Sequence, residues 1–186
     1  MILRGLQLAP PNSGSRISGE RTYALSGIPA GVDGTLTTLD IMARMVREYR
    51  ANPQIIELAR SLVSDIPGKD FAAEAAHLQD WGRASIRYTL DVYDVETLQT
   101  PLVTLQVRQG DCDDQSTLLA TLLNAIGHEA RFVAVGFSPD NFEHVLVETR
   151  AEPGASWLPV ETTEPVPFGV HPWTLGEVVT RINRDI

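Results

Sequence analysis

A block of leucines constrains this chain more than any other feature: Leu118, Leu119, Leu122 and Leu123, joined by Ile126, cover one broad face of a helical stretch that Gly127 stops. A face of that width has to be covered by other elements, so the spacing predicts a central buried helix with the domain built around it. Directly before it stands Gly110-Asp111-Cys112-Asp113-Asp114-Gln115-Ser116, a tight turn carrying the only cysteine of the chain. A thiol at a helix start meets unpaired backbone N–H groups and the positive end of the helix dipole. Both favour thiolate over thiol and leave donors for a developing oxyanion.

The chain has 186 residues, of which 43% are hydrophobic, enough for one well-buried domain and too few for a second full one. A formal net charge of −9 argues against a nucleic-acid partner, because no segment offers a concentrated basic face. One cysteine cannot form an internal disulfide, so core packing alone holds the fold, and a reducing compartment is tolerated. No apolar run reaches the roughly 18 residues of a membrane span. The start Met1-Ile2-Leu3-Arg4-Gly5-Leu6 lacks the basic region and long apolar core of a signal peptide. The expectation is a soluble, cytoplasmic protein with no membrane partner.

Residues 1–36 are rich in Gly, Pro, Ser and Thr and read as an extended N-terminal arm, least structured at Pro10-Pro11-Asn12-Ser13-Gly14-Ser15. A domain over 37–186 follows. Thr38 or Asp40 can cap a helix carrying Ile41, Met42, Met45, Val46 and Tyr49, and Asn52-Pro53 breaks it. Ile55, Ile56, Leu58, Ala59, Leu62 and Val63 form the stripe of a second helix ended by Asp65-Ile66-Pro67-Gly68. Phe71 through Tyr88 forms a third amphipathic stretch, less regular towards its end. Residues 89–109 carry no long stripe and read as a connecting loop. Arg131 to Phe137, Glu143 to Thr149 and Ser156 to Glu161 read as strands whose short connections call for an antiparallel sheet.

Two of those strands carry chemistry that matches the thiol. Phe142-Glu143-His144-Val145 supplies a base and Trp157-Leu158-Pro159-Val160-Glu161 a carboxylate, in the chain order Cys, His, acid. Each residue alone has a plainer reading: Cys112 as a small buried hydrophobe, His144 as a strand residue facing water, Glu161 as a surface carboxylate. His77, His128 and His171 fit no motif and read as surface or boundary residues. Asp111, Asp113 and Asp114 lack the alternating spacing and terminal Glu of a calcium loop, so they read as complements to a helix N-terminus, and no metal or cofactor is expected. Trp81, Trp157 and Trp173 read as packing residues, with Trp157 placed to line a cleft near Glu161.

This arrangement resembles the transglutaminase-like superfamily, whose papain-like order puts a Cys at the start of a central helix and His and Asp on neighbouring strands. The resemblance spans roughly residues 70–165. Gly110-Asp111-Cys112-Asp113-Asp114 carries it, with Ala125-Ile126-Gly127, Ala130-Arg131-Phe132-Val133, Glu143-His144-Val145 and Trp157-Leu158-Pro159-Val160-Glu161. Leu98-Gln99-Thr100-Pro101 and the N-terminal segments look similar to small transglutaminase-like proteins of tailed-phage genomes. The family usually has Asp where this chain has Glu161, and the longer side chain must be accommodated if it is to orient the imidazole.

The resemblance implies an α+β fold, N-terminal helices and a Cys-bearing helix packed on an antiparallel sheet. It implies acyl transfer through an acyl-enzyme on Cys112, with hydrolysis of a peptide, isopeptide or amide bond as the leading reaction and a peptide or protein as substrate. His144 would take and return the proton, and Glu161 would fix its tautomer. The backbone N–H of Cys112 and one side chain, Gln106 or Gln109, would meet the oxyanion. The alternative is a phage virion or assembly protein, with phage structural proteins as partners, that keeps the fold as a scaffold with little or no turnover.

Overall fold

The computed structural model describes residues 21–25, 27–68, 70–91, 97–139, 141–150, 152, 154–173 and 177–186. The Pro10–Ser15 stretch and the rest of 1–20 lie outside the described residues. The remainder of the expected arm enters the fold. Thr22–Ala24 (β1) pairs antiparallel with Thr97–Gln99 (β3), and Leu25 is buried.

Helix α1 spans Val32–Tyr49 and starts well before the Thr38 or Asp40 cap that its sequence suggests. Gly31, at φ 75°, turns the chain into it, and the hydroxyls of Thr35 and Thr37 donate back to the Gly31 and Asp33 carbonyls at 3.1 and 2.8 Å. Thr38 and Asp40 instead lie inside the helix, and the Asp40 carboxylate pairs with Arg184. Asn52 caps α2 (Pro53–Leu62) through the Gln54 N–H, so the break at Asn52-Pro53 is also the next helix start. Asp70 caps α3 (Phe71–Ser85), after which Arg87–Tyr88 (β2) is extended.

The expected loop over 89–109 instead holds β3, a short helix α4 (Pro101–Val107) and β4 (Gln109–Gly110). Each is shorter than a periodicity can reveal, and the two strands get their partners from earlier in the chain. β3 pairs with β1, and β4 lies parallel to β2 with Gln109 opposite Arg87 and Gly110 opposite Tyr88.

Helix α5 (Cys112–Ala125) is the centre of the molecule, as its leucines predict, but its burial goes further round. Leu118, Leu119, Leu122 and Leu123 are covered, and so are Gln115, Ser116, Thr117 and Thr121 on the other sides. Helices pack against it on one side and a sheet on the other. That sheet runs in the order β7-β6-β5-β8, all antiparallel, from β5 (Glu129–Gly136), β6 (His144–Arg150), β7 (Leu158–Val160) and β8 (Thr180–Asp185). β8 has no apolar alternation to announce it.

Alternate residues divide the sheet into two faces. Phe132, Ala134, Val145, Val147 and Val160 join the core under α5. Val133, Val135 and Leu146 form a second cluster with Trp173 on the outer face. On the same strand β6, Glu148 is 2% exposed and bonded by Arg131 at 2.7 Å and Arg181 at 2.6 Å. His128 is likewise buried rather than a surface residue, its Nε2 2.7 Å from Glu74. No helix among the described residues is long and apolar enough to cross a membrane.

Candidate active site

Asp111 forms the start of α5: its carboxylate accepts from the Asp114 N–H and its carbonyl from the Gln115 N–H. Cys112 is therefore the first helical residue. Gly110 makes the turn tight, because a Cβ there would stand 2.5 Å from the Asp114 Cβ. Gly110→Ala should destabilise the protein by about 1–3 kcal/mol, read as a lower denaturation midpoint, since backbone or Asp114 must move to admit the methyl group.

The helix start docks against β6. Ser116 Oγ donates to the Val145 carbonyl at 3.1 Å, which brings the Val145 backbone close enough to Cys112 for its N–H to favour the ionised sulfur. The sulfur thus sits against the residue that follows His144. Its protonation differs from what the helix start alone suggests. Burial pushes the thiol well above its ordinary value, the Asp113 and Asp111 charges push the same way, and the Val145 N–H opposes them without prevailing. Asp113 Oδ1 accepts from the thiol at 3.2 Å, a bond the thiolate cannot make. Burial and the two adjacent carboxylates thus favour the protonated thiol over the thiolate that a helix start alone would suggest.

His144 opens β6, and its Nε2 lies 2.6 Å from Glu161 Oε2. Glu161 directly follows β7 and is 1% exposed. Its other oxygen, Oε1, accepts from the Thr163 N–H at 2.6 Å, the Thr163 hydroxyl at 2.8 Å and the Glu164 N–H at 3.2 Å. The longer acid is accommodated in this way: a turn closes on one oxygen and presents the other to the imidazole. Burial works against its charge, but the hydrogen bond and charge of His144 and the Thr163 donors outweigh it and hold the carboxyl below its ordinary value.

Helix α3 holds that turn. Gln79 Oε1 accepts from the Glu161 N–H at 3.0 Å, and its Nε2 donates to the Val166 carbonyl at 3.1 Å. Arg83 Nη2 donates to the carbonyls of Glu161, Glu164 and Val166, each at 2.8 Å. Gly82 leaves the space Thr162 fills, since a Cβ there would come within 2.9 Å of Thr162 Cγ2. Gln79 and Arg83 were not singled out by the sequence. The available signal was Gln79 itself, a polar residue one turn on from Ala75 and Ala76 within the apolar stripe.

The other expected contacts fall elsewhere. Gln106 is on the exposed side of α4, and the Gln109 side-chain oxygen accepts from Arg87 at 2.6 Å. Trp157 precedes β7 at the end away from Glu161, between Arg131 and Arg150, whose guanidinium carbons stand 4.4 and 4.5 Å from its ring. It stands at the far end of β7 from the acid. The tryptophan beside His144 is Trp173, edge-on with ring centroids 6.1 Å apart and stacked in turn on His171. Asp114 turns inward, accepting from the Gln99 N–H and Nε2, both at 2.7 Å. No group of three or more His, Cys, Asp or Glu placed to hold a metal ion occurs among the described residues.

The sequence model of the Transglutaminase-like superfamily matches residues 56–162, from α2 to the turn after Glu161. The chain belongs to this superfamily. Comparison with curated proteins yields no match. Among solved structures, a candidate cysteine protease from Cytophaga hutchinsonii superposes with a TM-score of 0.51 at 21% identity, over 70% of this chain and 42% of that one. LapG of Legionella pneumophila, in its EGTA-treated form, gives 0.49 at 14% identity over 70% and 74%. A candidate protease from Parabacteroides distasonis gives 0.45 at 15% over 60% and 24%. The transglutaminase-like chain described here thus spans under half the length of the Cytophaga protein, with which it shares a fold.

Proposed function

We propose that this transglutaminase-like protein is a cysteine-dependent acyl transferase that hydrolyses a peptide, isopeptide or amide bond of a peptide or protein substrate. One observation carries the reading. The imidazole of His144 is bonded at 2.6 Å to a buried carboxylate held by its own turn, and the next residue, Val145, is tied through its carbonyl to Ser116 in the first turn of the helix that begins with Cys112.

Nε2 of His144 carries its proton towards Glu161, so Nδ1 is the nitrogen for the thiol proton. Because the resting sulfur is protonated, His144 acts as a general base during attack. The S–C bond forms as the proton passes to Nδ1, and the proton then goes to the departing amine as the C–N bond breaks. Water, activated by the same nitrogen, releases the acyl group from Cys112.

The test is acylation by p-nitrophenyl acetate, followed by nitrophenolate release and located by peptide mass. An acetyl group on Cys112, absent in Cys112→Ala, supports the reading. Alkylation by iodoacetamide gives a second expected result: the rate on Cys112 is low at neutral pH and still climbing above pH 9, because the thiol ionises late. A rate that levels off in acid would mean a thiolate at rest. The raised thiol favours one other reading, a scaffold in a particle or assembly with little turnover, in which Cys112 takes up no acetyl group.

A further inference from the structure

A proton held on His144 goes to the departing amine, so the half of the substrate that leaves has to lie against that imidazole. Glu161 takes the ring's Nε2 from the β7 side. An aromatic pair stands on the β5 side. Trp173 meets the imidazole edge-on with centroids 6.1 Å apart, and Phe137, which directly follows β5, meets Trp173 edge-on in turn at 6.3 Å.

The two aromatic rings differ in burial. Trp173 is 9% exposed, because Val133, Val135 and Leu146 back it and His171 stacks on it at 5.1 Å. Phe137 is 42% exposed, and an exposed Val179 adjoins it, the Val179 N–H donating at 2.9 Å to the carbonyl of Gly136, the residue before the phenylalanine. The backbone there has no slack: a Cβ on Gly136 would overlap the Asn141 carbonyl across the hairpin. An apolar ring kept in water beside a reacting group is unfavourably hydrated, and an apolar side chain laid on it removes that contact with water. Because its backbone is already fixed, little ordering of Phe137 opposes such binding.

Resting on the function proposed above, we propose that Phe137 and Trp173 form the subsite for the first residue of the leaving half and select a bulky apolar side chain, aromatic or branched aliphatic, immediately after the bond that is cleaved. Phe137 sets specificity without touching the reacting atoms. It covers the side chain while His144 serves the nitrogen.

Acyl transfer in the reverse sense isolates this subsite, because an incoming amine takes the place of the departing one. Cys112 is acetylated with p-nitrophenyl acetate, and the acetyl-enzyme is offered phenylalaninamide or alaninamide. The amine nitrogen adds to the thioester carbon and gives a proton to Nδ1 of His144. The C–S bond then breaks with its electron pair on sulfur, and the proton follows, leaving the Cys112 thiol and an N-acetyl amide. Mass spectrometry reads N-acetyl amide against acetate, a ratio from which the rate of acetylation drops out. The expected result is capture by phenylalaninamide about tenfold more efficient than by alaninamide, the scale set by partly covering one phenyl ring. The preference should fall to within about twofold in Phe137→Ala and be largely kept in Phe137→Leu. Equal capture of the two amides by wild type, or capture of neither, overturns the subsite, as does a preference that Phe137→Ala leaves intact. If wild-type Cys112 takes no acetyl group at all, the underlying function is what fails, and the subsite with it.

Discussion

His144→Ala is expected to slow acylation of Cys112 by p-nitrophenyl acetate about 10⁴-fold, the scale on which a misdirected imidazole disables a related nucleophile–histidine–acid site. The size of the effect follows from the state of the sulfur. A thiolate formed without help would still attack when the imidazole is gone. Here burial, Asp113 and Asp111 hold the proton on the thiol, so some group has to remove it during attack. Glu161→Gln should fall between wild type and His144→Ala. Its amide oxygen can still accept from His144, but its amide nitrogen would face the Thr163 and Glu164 N–H donors that now bond to Oε1. Stopped-flow nitrophenolate release measures all three proteins, and a His144→Ala rate within tenfold of wild type would rule out general-base attack.

The second large effect is on stability. Asp114 is buried behind the nucleophile, and burial, aided by the Asp111 charge and opposed by the Gln99 N–H, raises its pKa from 3.8 to about 8. The folded protein therefore keeps this proton to a higher pH than the unfolded chain does. Between about pH 4 and pH 8 the unfolded state ionises while the folded state does not. The contribution of Asp114 is full below that window and declines by up to about 1.4 kcal/mol per pH unit across it. The carboxyl proton has an acceptor nearby: Gln99 Oε1 is buried without a partner and meets it once that amide turns over. Asp114→Asn should remove this slope. His128 and His171, whose burial lowers their pKa, act oppositely as pH falls below the histidine range, so the comparison is variant against wild type at each pH. Urea denaturation at pH 5, 6.5 and 8 provides it, and parallel curves for the two proteins would contradict an Asp114 that is neutral in the fold.

The elements that were legible in the sequence are those whose signal is local. The leucine spacing before Gly127 marks α5, Asn52-Pro53 marks the boundary between α1 and α2, and the stretch from Phe71 marks the start of α3. His144 and Glu161 stood out because their strands flank them, and the structure brings that pair together. What was hidden depends on pairing across the chain. β2 and β4 are two residues each and are defined by each other, so the position of Tyr88 cannot be read from its neighbours. The tryptophan beside His144 is Trp173 and not Trp157, which precedes β7 at the end away from Glu161, and that placement comes from long-range packing. The thiol was misjudged for a related reason: a helix start favours thiolate, but the covering elements that desolvate Cys112 come from the whole fold.

The clasp of Gln79 and Arg83 on the segment 161–166 has a consequence for how this protein can be divided. The nucleophile and the imidazole come from α5 and β6, yet the acid is kept in place by a helix some eighty residues upstream. A fragment beginning after Ser85 would retain sulfur and ring but leave the carboxylate on an untethered bend. Any shortened version meant to preserve chemistry has to begin ahead of Asp70, the cap of that helix.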